Sequence, residues 1–547
     1  MTNYSSKILG NSTSALAAQQ ALIANISNNI ANVNTKGFVR REVNLLSRSD
    51  AGSSAGGLQI GSGVEVGEVR RLANTYLDDA QRAATSEKGA NDLRNEYLSR
   101  VEQLFGLKEG DVTIGSALND FFSAINQLTG SPANMDLRLN VLQRGEDLVT
   151  TIKGAYTTVA KTQTELDKRL YTEVNSINEF TDQIAKINLV IASQEVGGGV
   201  AAPERDQRDV ILQQLAEKIS YTLREQPNGS VDIMLEDGFP LVLGTTSRAL
   251  KVSSNPSFVV TGTPSLEGGA LSYVTYDYGT SSAPLDQELT YLLARGSGSV
   301  GGLLGLRGLT NALQTSAFQA DGDLVDVASR IEALTRTLLT TVNQTYRGPD
   351  EDSSTANLQP SSGDLNGNSP GVFGLFDFTF TGTKDVNGNG VADLSDLTDP
   401  SIGIDSFSRM LVFGVSQPAN FAAARDANAA AGATSFPTGD SSNAQALVAL
   451  RTTNLSFSAG SFTYTGTFEG LYTSTLAFVG NAAATAQSEA KVAAANYDAA
   501  ANRRDSFSAV NLDEEFANLI RFQKAFQASA RMIRTASELL DAIVSLI

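Results

Sequence analysis

The chain has 547 residues and carries 41 Lys and Arg against 59 Asp and Glu, so its formal net charge is −18 at pH 7. It contains no Cys, His or Trp, which excludes disulfides, thiolate nucleophiles, imidazole bases, Cys/His zinc sites and Ser/His/Asp triads. The acidic balance disfavours general binding to nucleic acid or to an anionic membrane. A chain of this length predicts about three or four domains.

The N-terminal segment lacks the basic start and the continuous apolar stretch of a cleavable signal peptide. Its apolar residues follow a seven-residue spacing, which predicts an amphipathic helix that stops at Gly37. The repeating positions are Leu9, Leu16, Ile23 and Ile30, with Ser12, Gln19, Ile26 and Val33 between them.

The middle of the chain alternates helical and strand-like patterns. A seven-residue spacing from Leu142 to Ile191 predicts one long helix, closed by three glycines at 197–199. Alternating apolar residues around Val231 and a turn at Asp237-Gly238 predict a β subdomain. A second β insertion is predicted after about residue 350, where Phe376, Phe378 and Phe380 alternate.

Two segments of the middle resemble ligand-binding motifs. Gly296 to Gly301 matches the glycine pattern of dinucleotide sites, but no strand–helix–strand succession comes after it, so a flexible turn is the favoured interpretation. The other segment has the spacing of an EF-hand calcium loop, with Asp at the twelfth position where Glu is usual. Its candidate ligands are Asp385, Asn387, Asn389, Asp393 and Asp396, and an Asx-rich surface loop is the favoured alternative.

The C-terminal segment predicts a second heptad helix. Asn511 and Glu514 form a plausible capping box, which places the helix start near residue 511. Its main series comprises Leu512, Leu519, Phe526, Ile533, Leu540 and Ile547, alternating with Phe516, Gln523, Ala530, Ser537 and Val544. No window has the roughly 18 uncharged apolar residues of a membrane-spanning helix.

The two terminal apolar stripes are covered either by each other or by other copies of the chain. The C-terminal stripe is worth on the order of 10 kcal/mol if buried, and one N-terminal helix covers only one side of it. Contacts between copies would build a ring or a helical polymer, and the ends of a free monomer would then become helical only on assembly. The predicted assembly seam comprises Leu9, Leu16, Ile23, Ile26, Ile30, Val33, Leu512, Phe516, Leu519, Phe526, Ile533, Leu540, Val544 and Ile547.

Charge is divided in the same way as the apolar stripes. Residues 1–49 carry a net charge of +4, residues 502–547 are neutral, and the middle carries −22. The middle is therefore expected to face water and the two ends to face protein.

These patterns predict a mainly α fold with β insertions. The predicted domains are a terminal coiled-coil domain, an elongated helical-bundle domain, a β subdomain and an outer β-rich domain. Their respective bounds are 1–40 with 506–547; 41–224 with 295–349 and 474–505; 225–294; and 350–473.

Both ends also resemble a known group of proteins. Residues 22–38, which are LIANISNNIANVNTKGF, resemble the N-terminal signature of bacterial flagellar rod, hook and hook-associated proteins. Residues 510–531, which are VNLDEEFANLIRFQKAFQASAR, resemble the hook-associated members in particular. The segments at 61–66, 119–122, 205–209 and 301–307 follow in the order of the family.

The resemblance implies a structural protein at the junction between hook and filament, with terminal helices that form an inner tube. It implies export through the flagellar type III apparatus and residence outside the cell without a cleavable signal peptide. The implied partners are other copies of the chain, the hook protein, a second hook–filament junction protein, and an export chaperone that holds the C-terminal helix.

The junction role has two alternatives, and catalysis is considered beside them. A hook or rod protein is the alternative within the same superfamily, and a secreted calcium-binding adhesin is the alternative from another class. Catalysis is not expected, because acidic groups such as Asp513 to Glu515 are explained by the positive end of a helix dipole. No cofactor, nucleic-acid partner or membrane partner is expected.

Overall fold

The computed structural model is mainly α-helical with short β insertions, which confirms the predicted fold class. It describes residues 2–48, 61–105, 113–253, 266–267, 271–278, 287–309, 321–348, 362–366, 368, 370, 374–379, 406–425 and 436–544. No helix in these ranges is long and apolar enough to cross a membrane.

The helices of the described residues are numbered in chain order. They are α1 (Thr2–Ala31), α2 (Thr75–Leu104), α3 (Ile114–Thr129), α4 (Met135–Glu195), α5 (Ala202–Lys218), α6 (Thr290–Arg295), α7 (Ser299–Arg307), α8 (Asp323–Thr337), α9 (Asn343–Arg347), α10 (Phe407–Met410), α11 (Ser442–Ala449), α12 (Phe468–Ser508) and α13 (Leu512–Val544). A π-helical turn at Leu338–Val342 joins α8 to α9. The heptad spacing from Leu142 to Ile191 lies within α4, whose residues at these two positions are buried.

The strands are short, and every described pairing is antiparallel. They are β1 (Arg41–Ser47), β2 (Val64–Arg71), β3 (Thr222–Glu225), β4 (Val231–Met234), β5 (Pro240–Leu243), β6 (Thr246–Ser247), β7 (Leu250–Ser253), β8 (Tyr273–Tyr276), β9 (Gln287–Glu288), β10 (Ser362–Gly363), β11 (Phe376–Phe378), β12 (Leu411–Phe413), β13 (Ala424–Arg425), β14 (Leu455–Ala459) and β15 (Phe462–Gly466). The sheet orders are β1-β2, β3-β4-β5-β6, β7-β8-β9, β10-β13, β11-β12 and β14-β15.

The chain divides into two compact units whose bounds differ from the predicted domains. The first unit comprises 1–88, 176–249 and 492–547, and the second comprises 89–175 and 250–491. The terminal helices α1 and α13 therefore belong to one unit together with α5 and the sheet β3-β4-β5-β6.

The predicted β subdomain at 225–294 is two sheets, one in each unit. In the first unit, Asn188 Nδ2 of α4 donates hydrogen bonds to the carbonyl oxygens of Val231 (2.8 Å) and Gly244 (2.6 Å). In the second unit, Asp167 of α4 accepts hydrogen bonds from the backbone N (3.0 Å) and Oγ (2.8 Å) of Ser272. Local strand and turn patterns do not encode which part of a helix anchors each sheet.

The predicted outer β-rich domain at 350–473 is not a separate unit in its described parts. The hairpin β14–β15 packs on α8, and α11 packs on α3. Phe121 of α3 meets Phe376 of β11 edge to face, with ring centroids 5.6 Å apart. These segments therefore contribute to the core of the second unit.

A buried carboxylate fixes one of these segments to α8. Glu332 is fully buried and accepts hydrogen bonds from Ser406 Oγ (3.0 Å), Phe407 N (3.1 Å) and Ser408 N (3.0 Å). Backbone N–H groups at the start of a helix carry partial positive charge, so Glu332 stabilises the first turn of α10.

Candidate assembly surface

The two terminal helices pack against each other in opposite directions. Asn29, near the C-terminal end of α1, donates from Nδ2 to Glu515 Oε2 in the first turn of α13, with 3.2 Å between the atoms. The two helices make extensive contact with each other. Part of each predicted stripe is therefore covered within one chain.

The α13 residues that face α1 alternate in steps of four and three. This face contains the side chains of Glu515, Leu519, Phe522, Phe526, Ser529, Ile533, Ala536 and Leu540, all half-buried or buried. The main heptad series lies on it, except for Leu512, which is exposed, and Ile547, which lies outside the described residues.

The predicted alternating series of α13 does not lie on the face toward α1. Phe516, Gln523, Ala530 and Ser537 are exposed, and Val544 has no described side chain. A series that begins with Phe516 and one that begins with Glu515 both alternate with the main series in steps of four and three. The sequence alone favours the series with Phe516, because Phe is apolar. Glu515 lies on the face toward α1 instead, because its carboxylate is paired with Arg40.

On α1, the most buried line of side chains runs close to the predicted seam without coinciding with it. Ala18, Leu22, Ile26 and Asn29 are buried. Of the predicted seam residues on this side, Ile26 is buried and the others are half-buried, namely Leu9, Leu16, Ile23, Ile30 and Val33.

Most of α13 remains exposed. Among its side chains from Leu512 to Ala542, only Glu515 and Ala536 are buried. The large apolar side chains that are exposed are Leu512, Phe516, Ile520, Met532 and Leu539. Both ends of this single chain are helical, so its terminal helices lack burial rather than helical structure.

An ion-pair cluster joins α13 to the residues that follow α1. Arg40 Nε lies 2.8 Å from Glu515 Oε1, and Arg40 Nη1 lies 2.8 Å from Glu514 Oε2. The Glu515 side chain is 2% exposed and that of Glu514 is 57% exposed. Asn511 Oδ1 accepts from Asp513 N (3.0 Å), as an N-cap does, whereas Glu514 binds Arg40 instead of completing the predicted capping box.

Models of three flagellar protein families match parts of the chain. The family described as "Flagellar hook-associated protein FlgK helical domain" matches residues 98–354. The families described as "Flagella basal body rod protein" and "Flagellar basal body rod FlgEFG protein C-terminal" match residues 9–38 and 504–546, which contain most of α1 and of α13.

Similar proteins cover almost the whole chain. Flagellar hook-associated protein 1 of Escherichia coli is 25% identical over 575 residues, covering 99% of this chain and 100% of that protein. The Bacillus subtilis protein of the same name is 25% identical over 552 residues, covering 97% of this chain and 96% of that protein. The chain is thus similar over nearly its whole length to flagellar hook-associated protein 1 of two distant bacteria.

A solved structure supports the same fold. The flagellar hook junction protein FlgK from Burkholderia pseudomallei matches with a TM-score of 0.57 at 15% identity, covering 79% of this chain and 100% of that chain. The matched families and relatives support a role for the chain as a structural axial protein of the bacterial flagellum. The chain assembles with copies of itself and with components of the hook.

Gly37 shows why the hook-associated N-terminal signature needs a glycine after α1. Its φ is +82°, and a Cβ at this position would overlap Val210 Cγ2 of α5. Only glycine adopts this conformation without strain and permits so close an approach.

Replacing Gly37 by alanine is therefore expected to lower the free energy of unfolding by about 2–4 kcal/mol, from left-handed strain and overpacking together. Urea unfolding followed by circular dichroism measures the effect. Gly10→Ala is the matched control, because nothing lies within 4 Å of the added Cβ and the residue is inside α1. Equal stability of Gly37→Ala and the original chain would contradict the steric argument.

The charged segment at 205–209 holds the hairpin β1–β2 to α5. Asp206 binds Arg41 (3.2 Å) and Arg71 (2.8 Å), and Asp209 binds Arg71 (2.6 Å). Burial raises the pKa of Asp206, and the two arginines oppose that rise. The sequence marks this segment only by resemblance and assigns it no physical role.

Arg208 of the same segment points to the other side of α5. It donates to Asn188 Oδ1 (3.1 Å) and to the carbonyl oxygen of Gly229 (2.7 Å), which connects α5 to α4 and to the sheet β3-β4-β5-β6. Burial lowers the pKa of Arg208 to about 10. The segment is thus a structural centre of the first unit.

Neither of the ligand motifs is placed as a ligand site. The candidate calcium loop, with Asp385, Asn387, Asn389, Asp393 and Asp396, lies outside the described residues. Within the described ranges, no group of three or more Asp or Glu side chains is arranged to hold a metal ion. Residues 296–298 join α6 to α7, and Gly301 lies in the first turn of α7, where a Cβ would overlap the carbonyl oxygen of Gly296, so packing explains Gly301.

Proposed function

We propose that this chain assembles as a ring at the hook–filament junction, in contact with the hook protein and with a second hook–filament junction protein. The names of its relatives and of the similar solved structure support this position. The family match over residues 98–354 favours it over a hook or rod protein, since only the two ends match rod families.

The observation that carries the proposal is the exposure of α13. Phe516 and Ile520 are 48% and 54% exposed on a helix whose only substantial packing partner among the described elements is α1. Large apolar side chains in contact with water favour association, and a tube of terminal helices from neighbouring copies would bury them.

The proposal assigns the inner tube to the terminal domain predicted from the sequence. Residues 1–40 and 506–547 act as the terminal coiled-coil domain that forms the inner tube. The predicted seam residues then serve two contacts, one within the chain and one between copies.

Export is the second part of the proposal. The chain leaves the cell through the type III apparatus, and a chaperone covers the C-terminal helix before assembly. The exposed apolar side chains of α13 support this role, because they need cover in the cytoplasm as well as in the flagellum.

Removing residues 512–547 from the chromosomal copy tests the proposal. Electron micrographs are expected to show finished hooks without filaments, and flagellin is expected in the medium. A strain that carries the full chain on a plasmid is the control and should regain filaments. Loss of the hooks themselves would indicate a hook or rod protein, and intact filaments would indicate a protein such as an adhesin, so either result would overturn the junction role.

A further inference from the structure

The exposed apolar side chains of α13 form two groups on opposite sides of the helix. Flank A comprises Leu512, Phe516 and Ile520, and flank B comprises Met532 and Leu539. At about 100° per residue, the centres of the two flanks are about 150° apart around the helix axis. Each centre is about 100–110° from the face that α1 covers, so both flanks are free in the single chain.

The flanks also differ in height along the helix. Flank A is centred on Phe516 and flank B lies between Met532 and Leu539, which separates their centres by about 29 Å at 1.5 Å per residue. Two unlike patches on opposite sides fit a head-to-tail contact, in which flank A of one copy meets flank B of the next. Copies repeated about a single axis all point the same way, so their α13 helices run parallel.

Charge indicates the same offset independently. Asp513 and Arg531 are exposed on the side of α13 away from α1, and neither has an ion-pair partner in the described part of the chain. They are separated by about 27 Å along the helix. A parallel shift that brings flank A onto flank B therefore also brings Asp513 of one copy close to Arg531 of the next. An unshifted contact would instead place two acidic first turns side by side, which is repulsive.

We propose that α13 of one copy packs parallel to α13 of a second copy with an axial offset of about 29 Å, flank A against flank B and Asp513 beside Arg531. The inference rests on the proposed function, because it names a contact between copies at the junction. It commits to one partner, a second copy of this chain. An axial offset repeated from copy to copy makes this assembly a helical turn rather than a flat closed ring.

Disulfide trapping tests the offset, since the chain has no cysteine of its own. Ile520→Cys with Leu539→Cys places the two thiols about 29 Å apart on one helix, too far for a bond within a chain. Oxidised hook preparations from cells that carry this variant are expected to give a ladder of covalent oligomers on a non-reducing gel. Ile520→Cys with Met532→Cys is the matched control and should stay monomeric, because its second thiol is displaced by about 10 Å.

Charge exchange provides a second test with the full chain. Asp513→Arg and Arg531→Asp are each expected to reduce the number of filaments per cell at least tenfold, and the double variant is expected to restore it. Asp513→Arg combined with Arg534→Asp should not restore it, because Arg534 lies on the side of flank A rather than beside flank B.

The outcomes separate the two proposals. A filament-bearing strain whose double-cysteine chain forms no ladder, or forms one equally with the control pair, would overturn the offset and leave the junction role intact. If the cysteine variants fail to assemble, absence of rescue by the exchanged charges overturns it instead. Filaments that persist without the chain would overturn the junction role itself.

Discussion

Serine at both Phe516 and Ile520 is expected to abolish filament attachment while leaving the free energy of unfolding of the single chain within about 1 kcal/mol of the original value. Both side chains are about half exposed and lie away from α1, so the single chain loses little apolar contact. Burial of the remaining half of each side chain between copies is worth about 1–1.5 kcal/mol per residue. Losing both weakens each contact about 100-fold. Filament counts in micrographs and urea unfolding of the purified chain measure the two effects.

Two control variants distinguish a loss of assembly from a loss of stability. Leu519→Ser with Phe522→Ser changes the half-buried face toward α1, and it should lower the free energy of unfolding by about 1–2 kcal/mol per site. Gln523→Ser with Gln527→Ser changes polar residues that continue the line of flank A, and it should leave both filaments and stability unchanged. Normal filaments in the Phe516 and Ile520 variant would show that assembly does not use this surface.

The sequence predicted the terminal helices well because helical spacing is a local property. The recurrence of Leu519, Phe526, Ile533 and Leu540 every seven residues defines one face of α13 whatever lies against it. A second series, which begins with Glu515, completes the face toward α1, and the burial of Glu515 depends on a residue distant in the sequence. A buried glutamate in place of Phe516 makes sense only once Arg40, more than 470 residues away, is seen beside it.

The division into units cannot be read from local sequence patterns, for the same reason. The strands around Val231 and those around Val274 have similar local patterns, and each sheet is placed by hydrogen bonds to a different part of α4. Single side chains such as Asn188 and Asp167 make these bonds. Nothing in the spacing of a long helix marks which of its polar residues will bind a sheet.

The roles of the signature residues were predictable only in part. The first helix was predicted to stop at Gly37, but α1 ends at Ala31, and Gly37 lies in the turn that follows, with a φ of +82°. The dipole of α13 was the expected reason for Glu515, but it applies to any acidic residue in that turn. The structure shows that Arg40 is a specific partner of Glu515, so the effect of the helix dipole and that of the ion pair can be measured separately.

Alanine at Glu515 is expected to lower the free energy of unfolding by about 3–5 kcal/mol, whereas alanine at Glu514 should cost less than about 1 kcal/mol. Both carboxylates lie 2.8 Å from Arg40 and in the same first turn of α13, so they share a partner and a helix dipole. They differ in burial: removing Glu515 leaves Asn29 and the Arg40 Nε group without their buried acceptor, while Glu514 is screened by water. Urea unfolding of the two purified variants measures the difference. Equal losses would show that the helix dipole, rather than the buried ion pair, explains the acidic start of α13.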